Sequence, residues 1–360
     1  MRTVLADPTS RLNNLNLLRL IAAFAVMVSH AWPIVHGPGT PEPLQATGYT
    51  LGTIAVMVFF GLSGFLIAAS WLRDPNPGRF VRRRARRILP GLWGMLALCV
   101  FVLGPIASTL GAWEYLLAAQ TWRFLFINAT LMPVEPILPG VFDQNPYPAA
   151  AGSIWTLHYE ALCYLSLAIV GLRGFLSENR FRFLIVGIVA LSLLATWIGS
   201  DLHPRLVSLA LLGLPFSLGV GAFVWRASLV LAWPGVVFLG LLVWVTRGTI
   251  AFPLLFAILV VYGTLWIGFV PSTVGRAFSG GWDISYGVYL YAFPIQGLVQ
   301  HLAAPGDVTT HLALAIIPVM VLATLSWILI ERPWLSGTLR PENRQPATTR
   351  STRAPRVAPR

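Results

Sequence analysis

Arg19 and His30 lie eleven residues apart in the apolar run 15–35. Eleven steps of 100° make three turns plus 20°, so on a helix both side chains share one face, about 16 Å apart along the axis. Taken alone, Arg19 suits snorkelling to an interface and His30 a structural hydrogen bond. Their common face favours function, because an imidazole suits general acid–base work and a guanidinium suits an anion. Glu160 sits in another apolar run, about 10 Å from the end of its helix. Its expected depth is similar to that of His30, so its carboxylate is expected to orient or charge-stabilise the imidazole. His158, two residues earlier and 200° around the helix, faces elsewhere and ranks second. A third group is the run Arg82-Arg83-Arg84-Ala85-Arg86-Arg87. By itself such a cluster sets topology, yet Arg84 and Arg87 are i,i+3 neighbours and suit bidentate recognition of phosphate oxygens.

Other chemistries find no support. There is no Walker-type loop, metal-ligand spacing or Cys/His cluster, and no metal is expected. Cys99 and Cys163 both lie in apolar runs, which argues against a disulfide scaffold or a cysteine metal site. The run Gly61-Leu62-Ser63-Gly64-Phe65 is no nucleophile elbow, since its glycines are misplaced and no strand precedes it. Small residues there suit close approach of two helices.

The elements that must position these groups follow from composition. Of 360 residues 56% are hydrophobic and 11% charged, against about 25% charged in soluble domains. A soluble multi-domain enzyme is thereby excluded. Ten apolar runs have the length needed to cross a hydrocarbon core of about 30 Å: 15–35, 51–72, 88–110, 153–172, 182–199, 205–225, 229–246, 250–269, 283–303 and 311–331. Each ionisable group inside such a run costs about 2.5–3.5 kcal/mol or more at the bilayer centre, so each needs a reason. The stretch 112–132 carries Glu114 and Arg123 and reads as interfacial or partly re-entrant.

The net charge of +12 comes entirely from arginine, with no lysine present. With the N-terminus inside, 21 arginines fall on the cytoplasmic side and three outside (Arg123, Arg205, Arg247), with Arg19 within the first helix. That asymmetry predicts both termini in the cytoplasm. It also accounts for the basicity without nucleic acid, leaving the lipid bilayer as the expected partner. The expected organisation is a cytoplasmic segment 1–14, a transmembrane domain 15–335 and a disordered Arg/Pro-rich cytoplasmic tail 336–360. The long loop 111–152 faces outward and holds the turn-rich run Leu138 to Pro148, which suits a functional role.

The motifs, taken in order, resemble those of the acyltransferase 3 family of integral membrane acyltransferases. Arg19-x10-His30 matches its first-helix motif, and Phe59-Phe60-Gly61-Leu62-Ser63-Gly64-Phe65 its Phe-Phe-x-x-Ser-Gly-Phe signature. Arg84-Ala85-Arg86-Arg87-Ile88-Leu89-Pro90 is similar to Arg-x-x-Arg-Ile-x-Pro. Trp155-Thr156-Leu157-His158-Tyr159-Glu160 with Tyr164 resembles the Trp-Ser/Thr-Leu-x-x-Glu…Tyr block. Ser285-Tyr286-Gly287-Val288-Tyr289-Leu290 and Glu331-Arg332-Pro333 match two late landmarks. Two positions depart from the pattern: Ala161 follows Glu160 where many members have a second Glu, and Ala292 stands where many have His.

The resemblance covers roughly residues 12–335 and implies an all-α integral membrane enzyme of a bacterial inner (plasma) membrane, in the stand-alone form without a fused extracytoplasmic esterase-like domain. It implies transfer of an acyl group, commonly acetyl, from cytoplasmic acyl-CoA to a hydroxyl of an extracytoplasmic glycan or glycoconjugate. No bound cofactor is expected beyond acyl-CoA as donor co-substrate. On this reading Arg84 and Arg87, with Arg19, meet the coenzyme phosphates and Ser63 supplies a hydroxyl donor. His30 is general base or transient acyl carrier, Glu160 orients it or positions the acceptor, and Trp155 and Tyr164 bind substrate, Trp155 by stacking on a sugar ring. A transporter or flippase for lipid-linked saccharides is the alternative. The lack of duplicated halves and of paired broken helices weighs against it.

Overall fold

The computed structural model describes residues 13–132, 135–278 and 281–336. Residues 337–360 of the expected tail and 1–12 of the expected N-terminal segment lie outside the described residues. The described residues form thirteen helices and no strand. Eight are long and apolar enough to cross a membrane: α1 Leu15–His36, α2 Leu51–Arg73, α3 Pro77–Ala107, α6 Trp155–Leu172, α7 Glu178–Ile198, α8 Pro204–Val224, α10 Phe252–Phe269 and α13 Val308–Leu335. The chain is an all-helical, multi-pass membrane protein.

The other two expected spans are also helical, for different physical reasons. Run 229–246 becomes α9, Trp233–Val245, whose 13 residues reach only about 20 Å and fall short of the hydrocarbon thickness. Run 283–303 becomes α12, Ser285–Ala303. Its 19 residues are long enough, but it is buried on nearly every side and carries Tyr286, Tyr289, Tyr291, Gln296 and Gln300 inward. A helix sheathed by protein needs no lipid-compatible face, and its composition shows that. The stretch 112–132 breaks at Ala118 into α4, Ala112–Leu117, and α5, Ala119–Ala129, both too short to span. The remaining short helix is α11, Thr273–Phe278.

Local signals place the ends. Asn76 caps α3 by accepting from the Arg79 amide at 2.9 Å, with Pro77 in the first turn. Thr50 caps α2, and Asp307 caps α13 from the Thr310 amide at 2.9 Å. Asn14 donates to the carbonyls of Ile267 and Val270 at 2.8 and 3.0 Å, tying the start of α1 to the end of α10.

The closest helix pair is α2 with α8. A Cβ on Gly64 would sit 2.0 Å from the Phe216 carbonyl oxygen, and one on Gly219 2.1 Å from that of Gly61. Backbone meets backbone here, as the small residues of the Gly-Leu-Ser-Gly run lead one to expect. The contact turns Ser63 toward α6. On the other side α12 lies beside α1 with both helices running the same way: Arg19 pairs with Asp283 at one end, Gln296 donates to the Met27 carbonyl at 3.2 Å, and His30 meets Phe293 further along. The loop before α6 plunges into the bundle, where Leu138, Val141 and Phe142 are fully buried.

Candidate active site

At one end of the bundle α1, α2, α3, α6 and α12 enclose a cavity of about 240 Å³. Its lining includes Arg19, Ser63, Arg84, Arg87, Glu160 and Tyr164. Six of the eight expected site residues, drawn from four helices, therefore meet in one place.

Asp283 organises the cationic side. Its Oδ2 accepts from Arg19 Nη1 at 2.7 Å and from Arg87 Nη2 at 2.5 Å, while Oδ1 accepts from the Ser285 hydroxyl at 2.6 Å and amide at 3.2 Å. Burial alone would raise its pKa. The two guanidinium groups and the Ser285 bonds outweigh that and hold the carboxyl well below the usual carboxylate range. Arg84 differs. No carboxylate stands within ion-pair distance of it among the described residues, and its Nε is buried without a partner. It is thus the guanidinium in the cavity left to meet an incoming anion. Arg83 reaches the same cavity but is held by Asp74 at 2.7 Å. Hydrogen bonds from Arg79 and Arg83 push the Asp74 carboxyl well below its ordinary value.

The opposite wall is hydroxyl-rich. Ser63 donates to Glu160 Oε1 at 3.2 Å and lies 3.4 Å from the Tyr164 hydroxyl, which itself donates to Glu160. Glu160 and Tyr164 are i,i+4 neighbours on α6, so the helix itself puts them in register. The cavity floor is formed by Thr156 and Tyr289, whose hydroxyls are 2.6 Å apart, with Phe59 against the Tyr289 ring at 5.9 Å. Tyr289 also donates to the Ser153 carbonyl.

His30 and Trp155 are not brought into this cavity. His30 is half-buried and meets Phe293 edge-on, with ring centroids 5.3 Å apart. Trp155 packs edge-on against Tyr159 at 5.8 Å. The expectation that His30 and Glu160 share a depth does not hold. The Thr156–Tyr289 bond puts α6 and α12 in register, and Gly171 against the Trp71 indole shows that α6 runs toward the arginine end. From that register Glu160 lies four residues, about 6 Å, toward the arginine end, whereas Phe293 lies four residues, about 6 Å, the other way. His30, seated on Phe293, is therefore about 12 Å from Glu160 in depth. The expectation fails because it measured Glu160 from the membrane surface, whereas α6 begins inside the bundle, after the plunging loop. His158 donates from Nδ1 to the Leu131 carbonyl, 2.7 Å away, and faces neither group.

The chain matches the acyltransferase 3 family, described as an acyltransferase domain, over residues 12–332. It belongs to that family. It is 31% identical to an O-acetyl transferase of Shigella phage Sf6, over 88% of this chain and 94% of the relative. It is also 31% identical to nodulation protein 10 of Rhizobium leguminosarum bv. viciae, over 89% and 92% of the two chains. A shorter match, 33% identical over about a third of each chain, is to the exopolysaccharide production protein ExoZ of Rhizobium meliloti strain 1021. No solved structure matches. The chain is accordingly a membrane O-acyltransferase, and the family motifs from α1, α2, α3, α6 and α12 converge on the arginine cavity.

Asp283, Thr156 and Tyr289 were not singled out from the sequence. Thr156 and Tyr289 sat inside quoted motifs as bystanders. Asp283 had one usable signal, an acid two residues before the Ser285-Tyr286 landmark in a chain with 13 acidic residues. No metal-holding cluster of His, Cys, Asp or Glu is found among the described residues.

Proposed function

We propose that this enzyme transfers an acetyl group from cytoplasmic acyl-CoA to a hydroxyl of an extracytoplasmic glycan, across a bacterial inner membrane with both chain ends in the cytoplasm. The observation that carries the reading is the cavity in which an unpaired Arg84 and the Asp283-held pair of Arg19 and Arg87 face Ser63, Glu160 and Tyr164. Arg84 receives the coenzyme phosphates by charge-assisted hydrogen bonds, with Arg87 adding positive field. The slender pantetheine arm extends past Ser63 and the Thr156–Tyr289 floor toward His30, about 16 Å along α1 from Arg19. Ser63, Glu160 and Tyr164 act as a positioning cluster for that arm, not as partners of His30.

His30 works as general base. Its ring nitrogen takes the proton of the acceptor hydroxyl as that oxygen attacks the thioester carbonyl. Collapse of the tetrahedral adduct releases the coenzyme sulfur, which receives the proton from the imidazolium. In the covalent variant the imidazole first accepts the acyl group and then passes it on. The environment suits either, because His30 adjoins Phe293, and Tyr147 of the long loop packs edge-on against the same ring at 5.7 Å. This supports a reading of the loop 111–152 as the acceptor-binding element, with Trp155 near its base. The phage relative's name supports acetyl transfer to oxygen, and the exopolysaccharide production relative supports a glycan acceptor.

The test supplies purified enzyme with labelled acetyl-CoA and an extracytoplasmic glycan fraction. Label is expected in the glycan, and label held on protein without acceptor identifies the covalent variant. Movement of lipid-linked saccharide across vesicles with no acetyl transfer would overturn the reading in favour of a flippase.

A further inference from the structure

Arg83 enters the arginine cavity with only one of its nitrogens engaged. Nη1 donates to Asp74 at 2.7 Å, whereas Nε and Nη2 are buried and have no hydrogen-bond partner among the described residues. Those two nitrogens form the side edge of the guanidinium, the fork that grips two oxygens of one carboxylate or phosphate. Buried donors left unpaired are costly, and an oxyanion brought into the cavity would relieve them. Asp74 fixes the side chain from the turn between α2 and α3, and it also binds Arg79 through Nε at 3.0 Å and Nη2 at 2.6 Å. Two guanidiniums share that one carboxylate, so it cannot neutralise both. Arg83 is therefore oriented on one side and open on the other.

Position along the cavity separates Arg83 from Arg84. The Arg84 guanidinium interacts electrostatically with Tyr164 and Glu160, on the wall that guides the pantetheine arm. Arg83 is tied instead to the turn that precedes α3, at the edge of that end of the bundle. Acyl-CoA carries its phosphates in a matching order. The diphosphate adjoins the pantetheine arm, and the ribose 3′-phosphate lies at the far end from the thioester. That 3′-phosphate is a monoester with three terminal oxygens and a charge of about −1.5 to −2 at neutral pH. We propose that Arg83, oriented by Asp74, grips the ribose 3′-phosphate of the acyl donor while Arg84 holds the diphosphate. The fork thereby selects intact acyl-CoA over thioesters of the same arm that lack the terminal phosphate. The inference rests on the acyl-CoA reading above and names the residue that sets donor choice.

The test compares acetyl-CoA with acetyl-dephospho-CoA, which differs only in the missing 3′-phosphate. The whole protein, in nanodiscs, is assayed for transfer of label to an extracytoplasmic glycan fraction. Wild type should show a KM about tenfold to a hundredfold higher for the dephospho donor, the scale of a charge-assisted contact, with kcat alike. Arg83→Ala should bring the two KM values together by raising that for acetyl-CoA alone. Arg83→Lys keeps the charge without the fork and should retain only part of the preference. Asp74→Asn frees Arg83 to turn and should reduce the preference likewise. Arg84→Ala should raise both KM values in parallel and leave their ratio unchanged. Arg82 is exposed and lies outside the cavity, so Arg82→Ala is the control that removes the same charge from the same run.

A wild type that uses both donors equally overturns the proposal. So does a preference that survives in Arg83→Ala, or one that Arg82→Ala abolishes to the same extent, since only the net charge of the run would then be at work. If Arg83→Ala does not fold, Arg83→Lys decides, and an undiminished ratio there overturns the fork. Titration calorimetry of CoA and dephospho-CoA, without acceptor, reads the same ratio as affinities. Absence of acetyl transfer from either donor overturns the acyltransferase reading instead, and the calorimetric ratio then decides the Arg83 site on its own. Binding of neither coenzyme overturns both.

Discussion

The arginine end of the bundle and the surroundings of His30 are built on opposite principles. Around Asp283 nearly every charge has a partner: two guanidiniums and a serine converge on one carboxylate. Glu160 likewise gathers two hydroxyls. Around His30 there is an aromatic edge and an apolar cluster of Ile34, Ala149 and Phe293. A dense polar network fixes geometry at the cost of freedom, since each group is committed to its neighbours. An imidazole set in apolar surroundings keeps both ring nitrogens available to substrates. The contrast suggests a division of labour, in which the arginine end holds and orients and the His30 region reacts.

Four measurements break or sharpen that contrast. The largest effect belongs to His30→Ala, which should lower kcat for acetyl transfer by about 10³-fold, within the range for loss of a general acid–base group. The KM for acyl-CoA should stay constant. A parallel rise in that KM would merge the two regions into one.

Next comes Asp283→Asn, which strands two guanidiniums and should lower unfolding stability by roughly 3 kcal/mol, a scale typical of breaking a buried pair. Thermal unfolding in detergent reads it. The same carboxylate gives a pH signature. Because its folded pKa is depressed, the stabilisation is full above its unfolded value near pH 4 and is lost as pH falls further through the folded value. Wild type should therefore lose Tm below about pH 4 more steeply than Asp283→Asn. Identical slopes would mean that the ion pairs contribute nothing.

Arg84→Ala should raise the KM for acyl-CoA by roughly tenfold to a hundredfold with kcat little changed, the scale of a lost charge-assisted hydrogen bond. Arg84→Lys should recover part of it, since charge remains but the planar fork does not. If Arg84→Ala alters only membrane orientation, the cluster is a topology signal alone. The smallest effect is expected for Tyr164→Phe, which removes one hydrogen bond worth about 1 kcal/mol. A fall of roughly fivefold in kcat/KM is expected, and loss on the scale of His30→Ala would place the chemistry at the Glu160 cluster instead.

Local pattern made a good part of this architecture readable. Apolar run length set the helices, because backbone groups in lipid must be satisfied within the segment, and helical spacing put Arg84 and Arg87 on one face. The small residues around Ser63 signalled the close approach of α2 and α8. Depth was not readable. A loop that plunges into the bundle before α6 has the same composition as one that stays at the surface, so Glu160 was placed too near His30. Two helices misled by length or polarity: α9 is shorter than its apolar run, and α12 is polar because protein surrounds it. Asp283 was invisible as the hub of Arg19 and Arg87, because they lie 264 and 196 residues away in sequence and only packing brings them together. Sequence alone determined the membrane class and the helices, since these depend on composition and period. Which of the ionisable groups meet, and that His30 stands apart from the rest, was decided only by how the helices pack.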